Sequence, residues 1–493
     1  QSAVAYCGFA VDAGTRDEAD HEQGMAHFVE HLLFKGTRKR HAWHILNRME
    51  NVGGDLNAYT NKEETVAYSA FLVEHFPRAV ELLADIVFHS TFPQHEIDKE
   101  VEVIIDEIQS YEDSPSELIF DDFEELLFPN HPLGRNILGK PDLLHQFKSE
   151  DALRFTSRYY RPENTIFFVQ GNIDFKRIIR LVEKATADLT SYAEVFTRKC
   201  PEVYVPQTLT LHRDTHQAHV MIGSRGYDAH NEKRTALYLL NNILGGPGMN
   251  SRLNVSLRER SGLVYNVEAN LTSYTDTGVF CIYFGTEHQQ VERCIRLVKK
   301  ELKRLCDKPL SAAQLAAAKK QIIGQIGVAR DNAESTALGM AKTFLHYGKM
   351  DDPNELFHRI EELTAKELWD VSNEMFAEMI ETIQPLIDKT QYPLHVDYMD
   401  EDNNEVLRAI QLCREKKPLG ILFLGGNSQN FRKDFGKIEI PCVLVSNDAS
   451  GLPFDNLSSV ATDDRQAARC AMDSLIALGH RKFVIVGGDR EVS

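Results

Sequence analysis

The 493-residue chain lacks three things that would each have directed its reading. It has no Cys-x-x-Cys pair among its eight scattered cysteines, which excludes a thiolate metal site and a dense disulfide framework. Unpaired cysteines suit a reducing compartment and predict a cytoplasmic location. No apolar run approaches the ~18–20 residues of a membrane helix; GILFLGG (420–426) has only the length of a core strand. Basic residues are also short, 55 against 73 acidic, for a net charge of −18. A surface with that balance disfavours general nucleic-acid binding, which depends on neutralising phosphates. Position 1 is glutamine, and the chain begins directly in the strand-like run AVAYCGFAVDAG. The expectation is therefore that a native N-terminal segment, with a first strand, precedes it, so a missing export signal carries no weight.

Residues 1–190 mix strand and helix signals. GMAHFVEHLLFKGT and HILNRMENVGG read as helices. LNAYTNKEETVAYSAFL reads as two strands joined by a polar turn. Two long helices follow, then the strand NTIFFVQGNI and the helix FKRIIRLVEKA. A linker is predicted near 190–207. Residues 208–378 repeat the pattern, with strands at TLTLHR, HVMIGSRG, VYNVEANLTSY and GVFCIYFGT. Helices are predicted at RTALYLLNNILGG, SRLNVSLRER, 288–306, 311–346 and 364–377. From 379 to 493 short apolar strands alternate with helices, a pattern of parallel βαβ units. The predicted architecture is thus α+β over two tandem domains of helices packed on a sheet, 1–190 and 208–378. A truncated α/β parallel-sheet lobe, 379–493, comes after them.

The strongest chemical signal is His27-Phe28-Val29-Glu30-His31. On a helix, residues four apart share a face, so two imidazoles can hold one metal ion, with Glu30 beside them. A catalytic zinc takes three protein ligands and leaves a position open. The helix at 96–112 offers Glu100, Glu102, Asp106 and Glu107, and spacing alone does not choose among them.

GMAHFVEHLLFKGT resembles the metal-binding helix of the inverzincins, the pitrilysin, insulin-degrading enzyme and mitochondrial processing peptidase family. The resemblance covers residues 1–378. It implies a zinc-dependent endopeptidase with His27, His31 and Glu107 as ligands and Glu30 as general base, Glu107 lying 76 residues after His31. It further implies that Glu100 orients a ligand histidine. GGDLNAYTNKEET (53–65) is similar to the family's active-site edge strand, which implies that Asn57 and Ala58 pair with a peptide substrate. GGPGMNSRLNVSLRERSGLVYNV (245–267) is similar to the family's C-terminal stretch. There Arg258 would anchor substrate and Tyr265 would stabilise the transition state. A chamber built from two such chains is implied, so a homodimer or a paralogous subunit is the expected partner. Residues 96–125 hold thirteen acidic side chains and one basic one, which would attract basic peptides if that face lined the chamber.

Residues 377–493 resemble a different family, the effector-binding domain of lactose-repressor-type regulators, of the periplasmic-binding-protein type. Only the first half of that domain is covered, and Asp448 and Asp463 would lie near its cleft. The two resemblances meet at NEMFAE (373–378), which predicts a chimeric fusion. Two rival functions follow: an effector-responsive regulator fragment, and a catalytically silent metallopeptidase-like subunit. The first needs DNA-reading helices that the sequence does not show, and Glu30 counts against the second.

Overall fold

The computed structural model describes residues 3–191, 197–350, 352–382, 404–416, 418–424, 428–445 and 451–460. The chain divides into two compact units, Gln1–Pro385 and Leu386–Ser493.

In chain order the first unit begins with β1 (Val4–Val11), α1 (Met25–Leu32), α2 (Ala42–Glu50), β2 (Asp55–Thr60), β3 (Thr65–Leu72), α3 (Phe76–Phe88) and α4 (Gln94–Glu112). Then come α5 (Pro115–Leu127), α6 (Pro141–Leu144), α7 (Ser149–Tyr159), β4 (Thr165–Gln170) and α8 (Phe175–Ala185). The four strands form one antiparallel sheet in the order β2-β3-β1-β4. Alternation along β1 sends Cys7, Phe9 and Val11 into a core shared with Phe28, Leu32, Leu83 and Ile104 of α1, α3 and α4.

The remainder holds β5 (Ala218–Gly226), α9 (Arg234–Gly245), β6 (Val264–Ser273), β7 (Gly278–Thr286), α10 (Val291–Asp307) and α11 (Ala312–Ala329). It ends with α12 (Ala333–Tyr347), α13 (Pro353–Glu362) and α14 (Ala365–Thr382). Its sheet runs β5-β7-β6, again antiparallel, and packs its main core on α9, α10, α11 and α14.

Each sheet has a second face, and each is covered by a helix from the other half. Ala337 and Ala341 of α12 bury against Ala10, Val66 and Phe168 of the first sheet. Leu127 of α5, with Phe120 and Phe123, packs on Val279 and Cys281 of β7 and Met221 of β5. The two halves are thereby one compact body.

The second unit contains α15 (Glu405–Lys416), β8 (Ile421–Leu424), α16 (Ser428–Asp434), β9 (Cys442–Val445) and β10 (Leu457–Val460). The strands pair in parallel with β9 central, around a small core of Phe423, Phe431, Phe435 and Leu444. PLHVDYMD, KFVIVGG, Asp448 and Asp463 lie outside the described residues.

Four expectations need correction. TLTLHR is not a strand: the sheet ends at β5, and Leu209 and Leu211 remain exposed. The helix expected at SRLNVSLRER forms, but over Asn254–Glu259 it is of the wider π type, with Arg260 N–H reaching Val255 O at 3.0 Å, five residues back. The helix predicted at 311–346 is two, because the Asn332 side chain accepts the Ser335 N–H and caps a new start. The boundary at 378/379 falls inside α14, which continues to Thr382, and the compact unit extends to Pro385.

Candidate metal centre

The site begins with a turn that only glycine makes comfortably. Gly24 has φ +94°, and a Cβ there would meet the backbone of Gly139 at 2.8 Å. α1 starts immediately after it. Its exposed first amides are taken by the buried carboxylate of Glu18, which accepts the Gly24 and Ala26 N–H groups at 2.9 and 2.8 Å. Burial pushes the Glu18 carboxyl up to about 8 against these bonds. Met25, Phe28, Val29 and Leu32 anchor the helix in the core, which leaves His27, Glu30 and His31 on the remaining surface.

The His27 and His31 rings meet edge-on with centroids 4.6 Å apart. From the facing helix α4, Glu107 Oε2 lies 3.8 Å from His27 Nε2 and 3.7 Å from His31 Nε2. One donor atom from each of the three side chains fits within a 4.8 Å span. Two imidazole nitrogens and a carboxylate oxygen are a zinc-type donor set, with room left for a further ligand.

The surroundings prepare these donors. Burial, and next the charge of His31, hold the His27 imidazole down to about 3, so it is a neutral lone-pair donor. Among the described residues its Nδ1 is buried without a hydrogen-bond partner. His31 is oriented from behind: its Nδ1 lies 3.0 Å from Glu100 Oε1, which leaves Nε2 facing Glu107. Burial opposes a charge on His31, but Glu100, Glu107 and Glu30 outweigh it and raise its pKa. Glu100 is itself held by Lys35 Nζ at 2.6 Å, and its carboxyl is lowered by His31 and Lys35 despite burial. The residues thus fit a zinc ion on geometry and donor chemistry.

Glu30 faces Thr60 at the end of β2, whose hydroxyl and backbone favour its charged form; burial is the stronger influence and raises its pKa. β2 is the sheet's outermost strand. Leu56 and Ala58 turn toward the α1 core, Tyr59 toward α12, and Asn57 is exposed. The expected substrate strand is therefore an available edge beside the general-base candidate. Arg258 and Tyr265 come together elsewhere in the first unit, the guanidinium 5.7 Å from the centre of a ring that is 83% exposed. Among the described residues neither has a hydrogen bond or ion pair to His27, Glu30, His31 or Glu107. Lys35, Thr60 and Glu18 were missed in the sequence. Lys35 had a usable signal, since it follows His31 by four residues, one turn on.

A family model described as insulinase (peptidase family M16) matches residues 1–141, and one described as the peptidase M16 inactive domain matches 146–322. An uncharacterized zinc protease of Rickettsia bellii is 33% identical over 364 residues, covering 74% of this chain and 88% of the relative. The chain belongs to the insulinase family. Zinc protease YmxG of Bacillus subtilis is 32% identical over 371 residues, 75% of this chain and 90% of the relative. Among solved insulinase-like folds, a protease from Helicobacter pylori superposes with a TM-score of 0.71 at 22% identity, over 77% of this chain and 93% of its own. The candidate ligands His27, His31 and Glu107 lie within the segment with the peptidase description. The Arg258–Tyr265 pair lies in the segment described as inactive.

Proposed function

We propose that this chain is a zinc-dependent endopeptidase of the inverzincin type, acting on peptides or unfolded segments. The observation that carries the reading is the convergence of His27, His31 and Glu107 beside Glu30. The two histidines and Glu107 would hold zinc, which supplies Lewis acidity toward water and a scissile carbonyl. Glu30 takes the proton of the attacking water and delivers it to the leaving amine. Glu100 keeps His31 Nε2 aimed at the donor cluster. The free edge of β2 pairs with substrate backbone at Asn57 and Ala58, which selects extended chains rather than particular side chains. Arg258 and Tyr265 serve as the substrate anchor and the oxyanion partner. A second copy or a paralogous subunit completes the chamber.

Zinc content and cleavage of a mixed decapeptide library, with and without chelator, test this in wild type and Glu30→Gln. One zinc per chain, chelator-sensitive cleavage and a dead, zinc-loaded variant are expected. Zinc-loaded wild type without cleavage, alone or mixed with a paralogue, makes it the silent subunit. For the second unit we retain the reading as half of a repressor-type effector lobe, supported by its parallel β10-β9-β8 order. A thermal shift with a panel of sugars and nucleosides is its test, and no shift overturns it.

A further inference from the structure

The turn between β2 and β3, Asn61-Lys62-Glu63-Glu64, reads in sequence as an ordinary polar hairpin turn, the kind that faces water. It does not. Lys62, Glu63 and Glu64 are 5%, 3% and 1% exposed. Each of the three charged side chains reaches a different element. Glu63 receives Arg16 at 2.6 Å, the Thr275 hydroxyl at 2.7 Å and the Thr275 N–H at 3.0 Å. Thr275 lies in the β6–β7 turn of the other half, and Arg16 also binds Asp276 there at 2.5 Å. Glu64 receives Lys342 at 2.8 Å and lies 2.9 Å from His346, both on α12. Lys62 binds Glu124 of α5 at 3.1 Å and the Arg135 carbonyl.

The turn's backbone is fixed as well. The Asn61 side chain accepts the Glu63 and Glu64 N–H groups, both at 3.0 Å. Asn61 O and Lys62 O accept the Thr15 and Arg16 N–H groups at 3.1 and 2.8 Å. Gly14 lies so close beneath that a Cβ would meet Asn61 O at 2.3 Å. The residue before this turn is Thr60, which ends the strand packed beside α1, pairs its hydroxyl with Thr65 across the hairpin at 3.3 Å and faces Glu30.

We propose that this buried turn is a joint through which the C-terminal half sets the position of the general base. Thr275 and Lys342 act as positioning residues for a site more than 200 residues away in sequence. Charged groups are not held out of water at a hairpin tip without full pairing, and here two of the three partner sets come from the half without the metal motif. Loosening the joint frees the end of β2, moves the Thr60 hydroxyl, and leaves Glu30 less well aimed, while the metal ligands on α1 and α4 stay seated in their own core.

The inference rests on Glu30 being the base, and the test separates the two. Thr275→Val, Thr275→Ser and Lys342→Met are compared with wild type in full-length, zinc-loaded protein. Steady-state kinetics use one peptide taken from the decapeptide library, and hydrogen exchange is followed in peptides covering 55–65 and 25–32. For Thr275→Val and Lys342→Met the expected result is a kcat lower by about tenfold, with KM and zinc content within twofold. Exchange is faster at 55–65 and unchanged at 25–32, and Thr275→Ser restores both. A lowered melting temperature with wild-type kcat and wild-type exchange at 55–65 overturns the proposal and leaves the turn as structural cement. If wild type and Glu30→Gln cleave equally, the base assignment fails, and the coupling to it fails with it. Exchange at 55–65 then still reports whether the joint holds the strand.

Discussion

The two halves of the first unit share a plan, an antiparallel sheet with helices on both faces, and differ in what they bury. Among the described residues, the N-terminal half buries Arg16, Glu18, Glu22, His27, Lys62, Glu63, Glu64, Asp85, His89, Glu100 and His131. In the C-terminal half the charged or histidine side chains so buried are Glu301 and His346, the latter against Glu64. Its β7 is instead buried along its whole length with apolar and small residues. Desolvating a charge costs several kcal/mol unless it is paired. In the N-terminal half part of that cost falls on the donor cluster, at His27 and Glu100, and part on the turn of Lys62, Glu63 and Glu64 with Arg16. The C-terminal half keeps an ordinary core and contributes the partners. Charge burial is thus concentrated in the half that carries the candidate metal ligands.

The comparison predicts a graded series of effects. The largest is at the base: Glu30→Gln lowers cleavage by roughly 10²–10⁴-fold with zinc retained, since it removes a proton carrier and not a ligand. Comparable cleavage by the two proteins would break the assignment. Next is Arg16→Met, which removes the guanidinium that Glu63 and Asp276 share. Urea unfolding of the first unit is expected to show a loss of about 3–5 kcal/mol, and a loss under 1 kcal/mol would mean that the network is not a joint.

A pH effect follows from Glu64. Burial alone would raise its carboxyl, but His346, Lys342 and Asn61 hold it down to about 2 from an ordinary 4.5. A folded-state pKa below the unfolded one stabilises the fold above pH 4.5, and the benefit is lost as pH falls toward 2. The full contribution is about 3 kcal/mol. The stability gap between wild type and Lys342→Met should therefore be complete at pH 7 and close between pH 4.5 and 2; a gap independent of pH would refute the sign. The smallest effect belongs to the apolar half. Ile322→Val, in a fully buried position of α11, should cost about 1 kcal/mol and leave zinc content and kcat unchanged.

The legible and illegible parts of the molecule divide along a physical line. The pairing of His27 with His31 could be read because helical periodicity places them, whereas Glu107 and Glu100 are singled out on α4 only by the family resemblance, spacing alone leaving Glu102 and Asp106 equally open. The strands of both sheets could be read as short runs of strand-forming residues, alternating in β1 and continuously apolar in β4 and β7. Lys62, Glu63 and Glu64 could not, because local polarity predicts a wet turn and only the approach of α5, α12 and the β6–β7 turn dries it. The exchange of α5 and α12 between halves was hidden for the same reason: an amphipathic helix declares that it has a buried face, not which sheet it covers. TLTLHR failed in the opposite sense, with strand composition but no neighbour to pair with.

That exchange of covering helices has a consequence for how the chain tolerates a cut. Val203 and Val205 are 96% and 70% exposed in an extended connection without helix or strand. A protease nick there severs the polypeptide and leaves α12 on the first sheet, α5 on the second, and Glu63 on Thr275. The fragments should co-migrate as one particle. Produced separately, each would have to present a bare sheet face to water until it met the other, so the halves are complementing pieces of one fold and not modules that can be inherited or engineered apart.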